Sequence, residues 1–174
     1  MQLTRATDYA VRIMIHLAIL PEATRLAAPE LARGINAPES FVSKILQQLV
    51  QHGLVTSYRG AGGGFQLAIP PEEISLLHVV EMMEGPLQIN LCLPGESSCC
   101  RKSWCGAHPV WNRAQDALKQ MLASASIAQL ARDSAARISL AANLKQKTAH
   151  TKNETFQIEH PIEPSLPGPR KQQD

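Results

Sequence analysis

The 174-residue chain has no apolar stretch long enough to cross a membrane. Its longest run, Ile13–Leu20, is interrupted by His16 and falls short of the roughly 20 residues that a spanning helix needs. An export signal is missing too, because Arg5, Asp8 and Arg12 fall where such a signal requires uninterrupted apolar residues. A cytoplasmic protein is therefore expected. In that compartment clustered thiols more often serve metal or redox chemistry than structural disulfides. Strong charge of one sign is also lacking: 17 Lys and Arg against 15 Asp and Glu leave +2. No internal repeat is visible. No Ser-His-Asp or Cys-His pairing stands out away from the cysteines, and the one glycine-rich turn lacks the Lys-Ser/Thr of a phosphate-binding loop. These absences point away from an enzyme.

What is present is unevenly placed. Residues 1–64 carry six basic residues (Arg5, Arg12, Arg25, Arg33, Lys44, Arg59) against four acids. Residues 65–100 carry five acids (Glu72, Glu73, Glu81, Glu84, Glu96) and neither Lys nor Arg. All four cysteines lie between Cys92 and Cys105. With 44% hydrophobic and 18% charged residues, the chain suffices for one packed domain or two very small ones.

Periodicity divides the first half into short helices and a hairpin. Thr4 is placed to cap a helix reaching Leu20, with Ala10, Ile13, Met14, Leu17 and Leu20 on one face. A second helix has Pro29 near its start and Gly34 just past its end. A third is opened by Pro38 and closed by Gly53. Its apolar face reads Phe41, Val42, Ile45, Leu46 and Leu49, and its polar face Ser40, Ser43, Lys44, Gln47 and Gln51. Leu54–Arg59 reads as a strand, residues 60–64 as a glycine turn, and Phe65–Ala68 as the returning strand. This order is the outline of a winged helix-turn-helix.

The second half continues with a Ser75-capped helix ending at Gly85, a loop over residues 86–108 that includes Pro94 and Gly95, and a longer helix from Pro109. That helix spaces Val110, Trp111, Ala114, Ala117, Leu118, Met121 and Leu122 at threes and fours, which suits either a dimer face or packing onto the first domain. A last helix is expected from Ile127 to about Ala142. Beyond it Pro161, Pro164, Pro167 and Pro169 describe a disordered tail. The expected fold class is mainly α with a small β-hairpin: a winged helix-turn-helix over residues 1–72, a cluster-binding loop and dimerisation helices over 73–143, and a tail over 144–174.

A recognition helix presents short or flexible hydrogen-bonding side chains on one face and anchors the other in the core. Ser40, Ser43, Lys44 and Gln47 meet that requirement. Arg59 and Gly60, at the lip of the glycine turn, are placed for a wing tip, where a guanidinium is drawn to the negative potential of a minor groove. The plainer alternative is a solvated helix face and a surface ion pair.

The thiols follow Cys92-x6-Cys99, Cys99-x5-Cys105 and Cys105-x2-His108, with Cys100 offering a second register. Three thiolates and an imidazole or carboxylate complete a four-coordinate centre for zinc or an iron–sulfur cluster. The C-x2-C hairpins of structural zinc modules are absent, which favours the cluster; thiol redox chemistry also stays open. The alternative for His108, just before Pro109, is a helix-start residue with no metal role.

Taken in collinear order over about residues 1–140, several segments resemble the Rrf2 family of bacterial winged-helix regulators, which includes IscR, NsrR and RirA. They are Met1-Gln2-Leu3-Thr4 with Thr7-Asp8-Tyr9-Ala10-Val11-Arg12, the wing Arg59-Gly60-Ala61-Gly62-Gly63-Gly64-Phe65-Gln66-Leu67, the run Ile74-Ser75-Leu76-Leu77-His78-Val79-Val80-Glu81, and the cysteine loop. The resemblance implies a homodimeric, operator-binding transcription factor whose DNA affinity depends on an iron–sulfur cluster. It matches Cys92, Cys99 and Cys105 to the thiolate ligands. Cys105-x2-His108 followed by Trp111 resembles the three-Cys, one-His 2Fe–2S arrangement of IscR. Asp8 matches the carboxylate that NsrR-type proteins supply from the partner subunit to a 4Fe–4S cluster. The x6 gap departs from the x5 of IscR and NsrR, and Cys100 as ligand gives the x7 of RirA while spoiling the second gap. His108 and 2Fe–2S are preferred because His108 lies in the same loop. The implied mechanism has oxidants, nitric oxide or iron shortage altering the cluster, so that the loop and its flanking helices reset the two recognition helices. Rival readings are a zinc- or thiol-controlled repressor on the same fold and a winged helix used for protein contacts.

Overall fold

The computed structural model describes residues 2–93 and 99–154, excepting the side chains of 143–154. Pro94, Gly95 and the proline-rich segment from Pro161 lie outside the described residues. The elements run α1 (Arg5–Ile19), α2 (Ala28–Gly34), α3 (Glu39–Gln51), β1 (Val55–Tyr58), β2 (Gly64–Leu67), α4 (Leu76–Glu84), α5 (His108–Ser124) and α6 (Ile127–Glu154). The mainly helical architecture with one antiparallel hairpin is the expected one. The chain divides into two units, Met1–Ala136 and Arg137–Asp174. The second comprises the far part of α6, which continues past the expected end near Ala142.

Helix α1 starts where Thr4 Oγ1 accepts from the Thr7 N–H at 3.3 Å, satisfying an N–H that has no partner within the helix. Ala10, Ile13 and Met14 are wholly buried, and burying a side chain such as Ile13 contributes about 1.5–3 kcal/mol. They meet the α3 stripe of Val42, Ile45, Leu46 and Leu49, together with Leu31, Leu54, Ile74, Val79 and Ile127, in one core. Phe41 departs from expectation. It is 51% exposed and meets Tyr9 edge-on at 6.4 Å. The positions 42, 45, 46 and 49 already complete the i, i+3, i+4, i+7 stripe, leaving Phe41 at its rim.

The punctuation of α2 also differs in cause. Gly34 is the last helical residue, and Asn36 takes the left-handed conformation (φ 53°). A Cβ on Gly34 would stand 2.6 Å from His16 Nε2, so a larger residue there would have to displace the His16 ring of α1. In the hairpin, Val55 pairs with Leu67 and Tyr58 with Gly64. Leu26 and Phe65 exchange backbone bonds of 3.2 and 2.9 Å, laying the segment before α2 along β2. Gly64 (φ 148°) permits this, since its Cβ would sit 2.7 Å from Leu26 O.

Hydrogen bonds at both ends of α4 position the second half. Ser75 Oγ caps α4 by accepting from the His78 N–H at 3.1 Å. The start of α6 docks back through Leu76 N to Ala125 O and Ile127 N to Ile74 O, both 2.8 Å. At the other end of α4, Glu84 accepts from the Thr7 hydroxyl, from the Thr4 N–H at 2.8 Å and from the Thr4 hydroxyl at 2.7 Å. These bonds, led by the one from Thr7, hold the Glu84 carboxyl below its ordinary range.

Candidate nucleic-acid interface and cysteine loop

With its apolar stripe sunk in the core, α3 turns the opposite side outward. Ser40, Lys44, Gln47 and Gln51 are exposed and Ser43 is half-buried. The helix is thus held from behind by fully buried side chains, while a row of hydrogen-bonding groups faces solvent at the spacing that reaches base edges. After α3 the chain turns at Gly53 (φ 72°) and enters β1 directly. The wing turn places Arg59 and Gly60 at the surface. Gly60 and Gly62 take φ of 90° and 78°, and a Cβ on Gly63 would lie 2.5 Å from Tyr58 O. Only glycine makes so thin a tip.

One cation beside the wing escaped the sequence reading. The Arg25 guanidinium lies 3.6 Å from the Tyr58 ring centroid, and its Nε donates to Gln66 Oε1 at 3.4 Å. Nothing local in the sequence couples Arg25 to the hairpin, because the Leu26–Phe65 bridge that brings it there is a tertiary feature.

The cysteine loop is tied at its entrance. Leu87 is buried, and its N–H donates to Glu81 Oε1 at 3.0 Å; Glu81 also pairs with Lys119 of α5 at 3.4 Å. The Ile89 N–H donates to Gln115 Oε1 at 3.3 Å. Cys92, Cys99 and Cys105 are half-buried, whereas Cys100 is exposed. His108 opens α5, one residue before the expected Pro109 start, with its N–H donating to Cys105 O at 3.1 Å. Its ring is 8% exposed. Nε2 lies 3.3 Å from Asn112 Nδ2, and buried Nδ1 has no hydrogen-bond partner among the described residues.

That orphaned nitrogen is the observation against which a metal group is tested. A buried imidazole nitrogen left unpaired is costly, and coordination would satisfy it. Half-buried thiols three, nine and sixteen positions upstream supply a donor set whose chemistry fits a cluster. The side chains do not converge: among the described residues no three His, Cys, Asp or Glu groups meet closely enough to hold a metal ion. Asp8, the other candidate fourth ligand, is engaged on its own helix, 2.7 Å from Arg12 Nη2.

The model of the Rrf2 family, described as an iron-dependent transcriptional regulator, matches residues 3–133. Protein aau3 of Rhizobium meliloti is 36% identical over 131 residues, 75% of this chain and 84% of that protein. The HTH-type transcriptional regulator NsrR of Geobacillus kaustophilus is 30% identical over 148 residues, 84% of this chain and 99% of that one. Among solved structures, CymR, the global cysteine regulator of B. subtilis, superposes with a TM-score of 0.63 at 28% identity, covering 76% of this chain and 97% of its own. No helix among the described residues is long and apolar enough to cross a membrane.

Proposed function

The chain belongs to the Rrf2 family of transcriptional regulators, and from that membership we propose that it is a homodimeric repressor whose operator affinity is set by an iron–sulfur cluster held by Cys92, Cys99, Cys105 and His108. Ser40, Ser43, Lys44 and Gln47 read the major groove, and Arg59 and Gly60 carry the wing to the DNA backbone. The observation that carries the cluster reading is the buried, unpartnered Nδ1 of His108 three positions after Cys105. It favours His108 over Asp8 as fourth ligand, and with it 2Fe–2S over 4Fe–4S. When bound, such a cluster supplies a centre that oxidants, nitric oxide or iron shortage alter.

The rest of the device is made of this chain's own side chains. Glu81 and Gln115 tie the loop entrance to α4 and α5. Glu84 ties α4 to the start of α1, a helix that shares the core with α3. A change in loop conformation thus has a short route to the reading helix, and it regulates only as far as the two loop states differ in DNA affinity. Dimerisation is assigned to α5, where Val110, Trp111 and Met121 are 53%, 42% and 69% exposed.

Purification without oxygen, followed by iron and acid-labile sulfide assays, tests the reading. About two of each per protomer is expected for a 2Fe–2S centre. A colourless protein holding one zinc and no sulfide would overturn it. A second reading, a thiol-controlled repressor without a cluster, is favoured by the exposed Cys100 thiol and by the likeness to a cysteine regulator. It requires DNA binding that responds to thiol oxidants in iron-free protein.

A further inference from the structure

We propose that Arg25 is a second wing cation, pre-set by Tyr58 to contact a DNA phosphate. The proposal rests on the DNA-binding reading above and adds to it a residue from outside both the recognition helix and the wing turn. Three observations converge on it. The Leu26–Phe65 bridge fastens the chain segment to the outer edge of β2, which makes Arg25 part of the wing. The guanidinium lies over the Tyr58 ring at 3.6 Å, with Nε held by Gln66 Oε1. Neither ion pair among the described residues involves Arg25, although it is exposed.

The ring and the Nε bond hold the guanidinium, and neither ion pair among the described residues takes up its terminal N–H groups. This is the geometry in which an arginine pairs with a phosphate: planar, orientationally fixed and still charged. Tyr58 immediately precedes Arg59 in the chain, so one hairpin carries both the ring that holds Arg25 and the cation of the wing turn. The glycines of the turn remove the bulk that would keep either cation from the backbone. The ring face and the Gln66 oxygen fix a side chain that would otherwise lose much rotamer freedom on binding. Because the contact is to phosphate, it strengthens binding without reading sequence.

The test measures binding of the full chain to two duplexes of equal length across a salt series. One carries the region upstream of the gene for this chain, and the other is its scrambled counterpart. Arg25→Gln, Arg25→Lys and Arg59→Gln are compared with the native chain. Loss of a phosphate contact is expected to make the slope of log K against log salt shallower by about one unit per protomer, equally on both duplexes. For a dimer losing two such contacts, affinity would then fall about twelvefold more at 50 mM than at 200 mM salt. Arg25→Lys should restore the slope while binding more weakly than the native chain, because lysine keeps the charge and loses the stacked fork. If Arg25→Gln weakens binding with the native slope, Arg25 is only a brace for the wing and the proposal fails. The same holds if nothing changes while Arg59→Gln still flattens the slope. Native binding indifferent to salt and to Arg59 would instead bring down the DNA-binding reading itself, and Arg25 with it.

Discussion

Helix α3 and the wing stand on side chains that solvent does not reach, among them Val42, Leu46 and Leu49 at 0% exposure, and on glycines where a side chain would be strained by positive φ or by close backbone. Between α4 and α5, Leu87 is buried and the Leu87 and Ile89 N–H groups are tied to Glu81 and Gln115. The thiols of that segment are half-buried or exposed. The contrast separates a surface complete without its ligand from a segment whose donors have yet to converge. A reading surface gains from rigidity, because ordering done in folding need not be repeated on binding. A sensing loop requires two accessible arrangements whose balance a ligand can shift.

The contrast is broken most severely by Leu46→Ala. It should cost about 2–5 kcal/mol through the cavity it leaves under the reading helix, measured by denaturant unfolding. A loss below 1 kcal/mol would mean that the helix is not held from behind as described. Gly64→Ala comes next, at about 1–3 kcal/mol, because its Cβ meets Leu26 O and its φ of 148° disfavours a side chain. Amide exchange should rise at Leu26 and Phe65, whose paired N–H groups would be released.

His108→Ala sharpens the comparison from the other side. Truncation leaves a small void but also removes a buried nitrogen with no partner, so stability should change by no more than about 1 kcal/mol. Bound iron should be lost, while the unfolding midpoint of the iron-free protein should change little. Iron retained in full would shift the fourth ligand to Asp8 or Cys100, which the Asp8→Ala variant distinguishes by its absorbance spectrum.

The smallest effect concerns the Glu84 tie between the two regions. The native carboxyl titrates below its ordinary value of 4.5, so its charge stabilises the fold above that pH and the contribution is lost as pH falls through the lowered value. Glu84→Gln should therefore melt earlier than the native chain near pH 7, and the two melting curves should draw together as the medium is acidified below pH 4.5. A difference that stayed constant with pH would assign the tie to shape rather than charge.

Much of this was legible in the residue order. The Thr4 and Ser75 caps, the α3 stripe and the glycine wing are local signals, and each concerns residues only a few positions apart. Phe41 was misplaced because apolar character marks a candidate for burial, while the packed stripe has room for a fixed number of side chains. Gly34 reads locally as a helix terminator, whereas in the fold it is the last helical residue and its neighbour is the His16 ring of another helix. Glu84 and Arg25 carried no local signal, because their partners Thr7 and Tyr58 stand far from them in the chain.

The sequence by itself determined the kind of protein: a winged helix-turn-helix joined to a loop holding four thiols and a histidine, in the collinear order of the Rrf2 regulators. Periodicity, caps and turn glycines encode such features locally. The tertiary structure decided which of those residues are held and which stand unpaired. It buried the His108 ring while leaving Nδ1 without a partner among the described residues, fastened α4 to α1 through Glu84, and set Arg25 over the Tyr58 ring of the wing. Burial and partnership depend on what long-range packing brings together, and a one-dimensional pattern does not specify that.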